Sequence, residues 1–220
     1  TKRECQEKLR QLTESMVGRN DRKVKSDMLF GDWLCYWYEN HSKPMLRAST
    51  QNNYENVIYN HVLPEIGKIP LNKLSQNDLQ QFYGRLKKNG RKRLTEQYGA
   101  GLSDRMVRMC HAVCRSALER AVRDDLLRTN PAIGCKLPPK KAKEMQVLDR
   151  EELQKFLIQA QADGYYELFL LDLCTGLRRG ELIALQWEDL NFETGVLTVN
   201  KQAYTVNGEL QIIPPKTKAS

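Results

Sequence analysis

Residues 175–190, TGLRRGELIALQWEDL, decide how this 220-residue chain is read. An apolar run, Leu168, Phe169, Leu170, Leu171 and Leu173, leads into Thr175-Gly176. The pair Arg178-Arg179 follows, and then Leu182 and Leu185, three positions apart. The pattern predicts a buried helix, a tight turn at Gly176, and a second, amphipathic helix whose first turn carries the arginines. A guanidinium held on such a turn beside a packed core is fixed in position. It presents a planar fork of donors that fits a phosphate, and it does not lose its charge. An isolated Arg-Arg pair reads far more readily as the solvated start of a helix, so the weight lies on the whole string.

Downstream of Asn191 the period changes to two, with Val196, Thr198 and Asn200 alternating with Leu197 and Val199. Residues 202–206 and 209–213 flank Asn207-Gly208, the strongest short hairpin signal. The chain then reads Pro214-Pro215-Lys216-Thr217-Lys218-Ala219-Ser220. Upstream, Asp149 and Glu152 have the spacing of a capping box, opening a helix that runs to about Ala162. Before it, residues 135–146, CKLPPKKAKEMQ, hold two adjacent prolines and four lysines and read as an extended basic linker.

From residue 26 to 134 the pattern is that of a helical domain. Phe30, Trp33, Leu34 and Trp37 mark a first helix, ended by Ser42-Lys43-Pro44. Ser49 is expected to cap a second, with Tyr54, Val57, Ile58 and His61 inward, before a turn at Pro64, Gly67 and Pro70. A third runs from Ser75 to Lys87 with Leu79, Phe82 and Leu86 inward. Asn89-Gly90 is its stop signal, since both residue types tolerate a left-handed C-terminal turn. After a polar loop, Ser103 caps a fourth helix to about Leu127, with Val107, Cys110, Cys114, Leu118, Ala121 and Val122 inward. Arg105, Arg108, Arg115 and Arg123 share its other side. Residues 1–25 read as an N-terminal helix or arm.

Sixteen basic side chains lie between Arg85 and Lys143 against five acidic ones, a local balance of +11 in a chain whose total is +8. Such a concentration points to a polyanion, nucleic acid first; an unliganded basic surface or an RNA-binding protein would rest on charge alone. No apolar run approaches the roughly 20 residues of a membrane span. TKRECQEKLRQ at the N-terminus has no apolar core, so no secretory signal is expected, and a first residue of Thr suggests a trimmed start. Five of the six cysteines recur within or beside helical patterns and lack zinc-ligand spacing. We expect reduced, structural thiols in a cytoplasmic, nucleoid-associated protein with no metal and no cofactor.

The string T-G-L-R-x-x-E-L-x-x-L-x-W-x-D resembles the first arginine box of the tyrosine recombinases, the integrases of phages and conjugative transposons. The resemblance extends over nearly the whole chain. Ser49-Thr50 through His61 and residues 63–67, LPEIG, resemble the family's second core-binding helix, and residues 103–122 resemble its fourth. It implies a fold of α plus α/β class: a four-helix, SAM-like core-binding domain (26–134), the linker (135–146), and the N-terminal part of a mixed α/β catalytic domain (147–220). It implies integration or recombination of a mobile element, with double-stranded DNA as partner and self-assembly to a dimer or tetramer on DNA in the complete protein.

In that family a tyrosine attacks the scissile phosphate without metal, and the free 5′-hydroxyl later attacks the phosphotyrosine to rejoin the strand. Arginines hold the nonbridging oxygens, and a hairpin lysine protonates the leaving oxygen. By motif, Arg178 is the first arginine, Glu181 its orienting carboxylate, and Lys216 the hairpin lysine, with Lys218 the alternative. Arg179 falls at a variable position. Candidate DNA contacts are Thr50 and Asn53 on the second helix, Arg105, Arg108 and Arg115 on the fourth, and Lys140, Lys141 and Lys143 in the linker. The family's H-x-x-R box and nucleophilic tyrosine lie beyond the hairpin lysine, whereas the nine tyrosines here all precede it. The chain as it stands is therefore expected to be catalytically incomplete: part of a recombinase, or a truncated DNA-binding protein.

Overall fold

The computed structural model describes residues 28–139, 145–206 and 208–214. The N-terminal arm, Lys140, Lys141, Lys143, Lys216 and Lys218 lie outside the described residues. The chain divides into two compact units, one on either side of residue 142.

In the first unit, α1 (Phe30–Trp37) continues through a π turn, Tyr38–Ser42. Helix α2 (Ala48–Val57) continues through a second π turn, Ile58–Val62, and a last α turn, Leu63–Ile66. Helices α3 (Gln76–Asn89) and α4 (Asp104–Arg123) complete the set. Each long helix turns an apolar stripe inward. Phe30, Trp33, Leu34, Val57, Ile58, Leu79, Phe82, Val107, Cys110, Cys114 and Leu118 are almost wholly buried in one core. Burial of this kind, at roughly 25 cal/mol per Å² of apolar surface, is what holds so small a bundle together. The Trp33 indole N–H donates to the Ala117 carbonyl at 2.8 Å, so the largest core ring leaves no polar atom unpaired.

The helix boundaries depart from the sequence pattern in ways the backbone explains. Ser49 is not the cap of α2: the chain is already helical at Ala48, and Thr50 N–H reaches the Arg47 carbonyl at 2.8 Å. Gln51 instead secures the entry, its amide donating to the Lys43 and Leu46 carbonyls. Pro64 sits inside the last helical turn rather than in a loop, at a position where no N–H is required. Gly90 is right-handed (φ −78°), not left-handed, because the returning chain closes the helix end through Leu102 N–H to the Leu86 carbonyl, 3.0 Å. Helix α4 ends at Arg123, short of Leu127. Asp125 takes φ +56°, and Leu126 and Asp125 N–H bond the Ala121 and Val122 carbonyls in a Schellman closure. Val122 is consequently only half-buried.

The first residues of the stretch read as linker are packed on this unit. Lys136 exchanges two hydrogen bonds with the Gln80 side chain, at 2.7 and 3.0 Å, and Arg108 donates to the Pro138 carbonyl. Asn130 is buried. Its amide donates to the Arg115 carbonyl and Glu119 carboxylate, both at 3.0 Å, and its oxygen accepts from Ala132 N–H.

In the second unit α5 (Arg150–Ala162) starts at the expected box, Asp149 and Glu152 each accepting the other's backbone N–H. It packs on α6 (Tyr166–Thr175) through the Phe156 and Phe169 rings, edge to face at 4.9 Å. Gly176 ends α6 with φ +64°, a conformation that favours glycine. Helix α7 (Arg179–Ile183) is shorter than its pattern, so Leu185 falls beyond it. Strands β1 (Leu190–Asn191) and β2 (Val196–Leu197) form one antiparallel ribbon. Strands β3 (Gln202–Val206) and β4 (Glu209–Ile213) form another, in register from Gln202↔Ile213 to Val206↔Glu209. The expected strand through Asn200 stops at Leu197.

The expectation that α6 is buried is wrong for this chain. Leu168, Leu170, Leu171 and Leu173 are 38–48% exposed, and Cys174 is exposed with them. An all-round apolar helix needs neighbours on every side, and here one helix, one helical turn and two thin ribbons do not enclose it. The α followed by α/β organisation is otherwise the one the sequence implied.

Candidate functional site

Arg178 stands one residue before α7, in extended conformation, where Gly176 has just turned the chain out of α6. Its backbone N–H donates to Glu181 Oε2 and its Nη1 to Glu181 Oε1, both at 3.0 Å. One carboxylate therefore both caps the helix and grips the guanidinium. Glu181 is 3% exposed, whereas the Arg178 side chain is 64% exposed. The backbone N–H bond from Arg178, followed by the side-chain bond and the positive charge, holds the Glu181 carboxyl below its usual range against the opposing effect of burial. The result is an arginine whose fork is held through Nη1 by Glu181 while most of its side chain stays exposed.

The hairpin is brought against this turn by a close approach. A Cβ on Gly180 would lie 2.8 Å from the Ala203 carbonyl, so glycine lets α7 touch β3 directly. A second anchor, missed in the sequence, is Lys201, just before β3. Its Nζ lies 3.0 Å from Asp189 Oδ2 and 3.3 Å from Glu188 Oε1, and it also donates to Gln186. Asp189 accepts Gln186 N–H at 2.8 Å, which, with Lys201, lowers its carboxyl pKa; Asp189 in turn raises that of Lys201. The only sequence signal was Asp189 itself, the last position of the arginine-box string. Lys216 and Lys218 lie outside the described residues.

On the helical unit Arg105, Arg115 and Arg123 are exposed on α4. Arg115 and Arg123 line a shallow groove of about 660 Å³ with Arg120, Trp37 and His41. The nearby acids are occupied: Asp104 pairs with Lys87, Asp124 with Arg120 at 2.9 Å, and Glu119 receives Asn130. Arg108 differs from its neighbours, being half-buried with its guanidinium on the Pro138 carbonyl and its Nε unsatisfied. Thr50 is half-buried and Asn53 exposed on α2. His111 is buried against the Tyr83 hydroxyl at 3.3 Å. Burial, then Arg115 and Arg108, lower its pKa, so it adds no charge to this face at neutral pH. Among the described residues no three His, Cys, Asp or Glu side chains gather as a metal site, and no helix is long and apolar enough to cross a membrane.

A four-helix basic unit followed by an α/β unit with a capped arginine turn is an arrangement this chain shares with integrases. Residues 29–87 match the phage integrase N-terminal SAM-like domain, and the chain is homologous to the tyrosine recombinases. It is 28% identical to the ICEBs1 integrase of Bacillus subtilis over 99% of its own length and 55% of that protein. It is 26% identical to a XerC-like tyrosine recombinase of Caldanaerobacter subterraneus, over 91% of its length and 50% of that protein. The chain thus spans about half the length of these relatives. Its fold is that of the Tn1549 transposon integrase, solved in complex with a circular-intermediate DNA (TM-score 0.72, 20% identity, 88% of this chain and 59% of that one). Lambda integrase bound to a core site is similar over 85% of this chain and 62% of its own, with TM-score 0.61 and 16% identity.

Proposed function

We propose that this chain is the DNA-binding and partial catalytic portion of a cytoplasmic, site-specific tyrosine recombinase of a mobile element. The helical unit binds duplex DNA through the exposed arginines of α4, helped by Lys140, Lys141 and Lys143, and the complete protein assembles as a dimer or tetramer on its site. Arg178 holds the nonbridging oxygens of the scissile phosphate while Glu181 keeps its fork aimed, and Lys216 protonates the leaving 5′-oxygen. The observation that carries this reading is the Arg178–Glu181 pair: a nearly buried carboxylate orients a guanidinium that is itself mostly exposed.

The test uses the chain extended to the length of its relatives, on a nicked suicide duplex that traps the covalent protein–DNA adduct. Arg178→Lys keeps the charge and loses the two parallel donors. It is expected to retain duplex binding and to lose about 10²–10³ in cleavage rate, the usual effect of removing one donor aimed at developing oxyanion charge. Arg179→Lys should be much milder. Undiminished cleavage by Arg178→Lys overturns the assignment.

A further inference from the structure

Between α3 and α4 the chain makes an excursion, residues 91–101, whose neck is tied shut. Arg91 N–H donates to the Ala100 carbonyl at 2.8 Å, and Arg91 Nε reaches the Gly101 carbonyl at 3.3 Å. The same guanidinium lies over the Tyr98 ring, 5.3 Å from its centroid. At Gly101 a Cβ would collide with the Lys87 carbonyl, so glycine is what lets the returning chain pass the end of α3.

The tip is held in an unfavourable shape. Leu94 has φ 56° and ψ 38°, the left-handed conformation, in which the Cβ of an L-residue crowds the following carbonyl. It leads into a single helical turn, Thr95–Tyr98, where Tyr98 N–H donates to the Leu94 carbonyl at 3.1 Å. Glycine takes this conformation readily and leucine does not. The turn also displays apolar surface to solvent: Leu94 is 65% exposed, and Tyr98, four residues on, 58%. Arg91, Lys92 and Arg93 run directly into it, the last two exposed, and Glu96 is the one acid from 91 to 101.

Core packing does not account for an exposed leucine, and backbone geometry argues against one. Strain of this kind persists where the surroundings over-determine it, and it gathers at places that act on a ligand. What leucine adds here is a stiff apolar tip at the head of a cationic run. That pairing matches the minor groove of duplex DNA. The groove's negative potential attracts Arg and Lys, and apolar side chains inserted there part neighbouring bases and kink the helix. Arg105 of α4, a candidate duplex contact, follows Gly101 by four residues, about 14 Å of chain at most. A duplex lying on α4 is thus close to the loop.

We propose that residues 91–98 form a minor-groove wedge. Lys92 and Arg93 enter the groove, and Leu94, with Tyr98 one turn behind it, inserts at a base step and bends the duplex. The flexible pyrimidine–purine steps, TA and CA/TG, are where such insertion costs least. The wedge rests on the duplex-binding reading above. It adds a contact on neither α2 nor α4, which recognises how easily DNA deforms rather than the edges of its bases.

The experiment uses the 220-residue chain and two 30-base-pair duplexes of one sequence, one fully paired and one with a single mismatch at its centre. Each carries fluorophores at its two ends. A mismatch lowers the cost of parting the stack, so the wild-type chain should bind that duplex about tenfold tighter or more. It should also draw the ends together, raising energy transfer. Leu94→Gly removes the tip and suits the left-handed backbone, so the variant should melt at or near the wild-type temperature. Its preference should fall to within about twofold and its bending should vanish. The slope of log affinity against log salt should not change, because leucine neutralises no phosphate. Leu94→Met, which keeps an apolar tip, should retain both preference and bending. A wild-type chain that binds the two duplexes alike without bending them overturns the wedge and leaves duplex binding standing. So does a Leu94→Gly chain that still bends and discriminates, or one that melts clearly lower, since the leucine would then serve the loop's own stability. A wild-type chain that binds neither duplex overturns the functional reading itself.

Discussion

Glu181 shows how much one side chain settles in this protein. It accepts the Arg178 N–H with one oxygen and the Arg178 guanidinium with the other, so cap and ion pair are separable by substitution. Glu181→Gln keeps an acceptor for the cap, as the capping box allows, but loses the charge. Glu181→Ala loses both and should cost about 0.5–2 kcal/mol, the range for a lost cap. Because the folded carboxyl titrates below the usual value of about 4.3, its contribution is fully present above that pH. It disappears as pH falls through the folded value. Thermal melts should thus show wild type more stable than Glu181→Gln at pH 7, with the gap closing as pH falls below the usual carboxylate range. A gap independent of pH would mean that the pair does not stabilise the turn. The Arg178–Glu181 spacing was legible in the sequence because a three-residue offset at a helix start has a local cause. Lys201 was not, because its partner Asp189 is reached only through the β1–β2 ribbon, and long-range pairing leaves no periodic mark.

At the scale of elements the same rule separates what could be read from what could not. The helix starts at Ser75, Ser103 and Asp149, and the hairpin at 202–213, follow from residues within four positions of one another. The ends of α3 and α4 do not, since the first is closed by Leu102 returning from a loop and the second by Asp125 in a conformation asparagine or glycine more commonly adopts. The exposure of α6 was equally hidden: apolar content shows that a helix wants burial, not whether neighbours supply it. The junction of α7 with β3 is the element-level feature most open to test. At Gly180 a methyl group would meet the Ala203 carbonyl at 2.8 Å, and neither backbone yields cheaply. Gly180→Ala should therefore push α7 and the hairpin apart at a cost of about 1–3 kcal/mol, typical of overpacking. Hydrogen exchange should report it as faster exchange of β3 and β4 amides with α1 to α4 unchanged. Unaltered protection in β3 would show that the contact is not what holds the hairpin.

Over the whole molecule the uneven charge is the property that composition alone reveals, and its physical consequence is a salt dependence. The acids among the basic residues of 85–143 are largely occupied by neighbours, Asp104 by Lys87, Asp124 by Arg120 and Glu119 by Asn130. Those pairs leave Arg105, Arg115 and Arg123 exposed on α4. Each phosphate so neutralised releases condensed counterion, which lowers log affinity by about 0.9 per contact for each tenfold rise in salt. With about six to ten contacts, duplex affinity should fall by about 10³–10⁵ between 50 and 200 mM salt. Replacing Lys140, Lys141 and Lys143 together with alanine should reduce that slope by about 0.9 for each lysine that reaches a phosphate. It should weaken every duplex alike, because backbone contacts carry no sequence information. Titrations of two duplexes of different sequence at four salt concentrations measure both effects at once. An affinity flat in salt would rule out phosphate contacts as the source of binding. A loss confined to one duplex would move the lysines from the backbone to the bases.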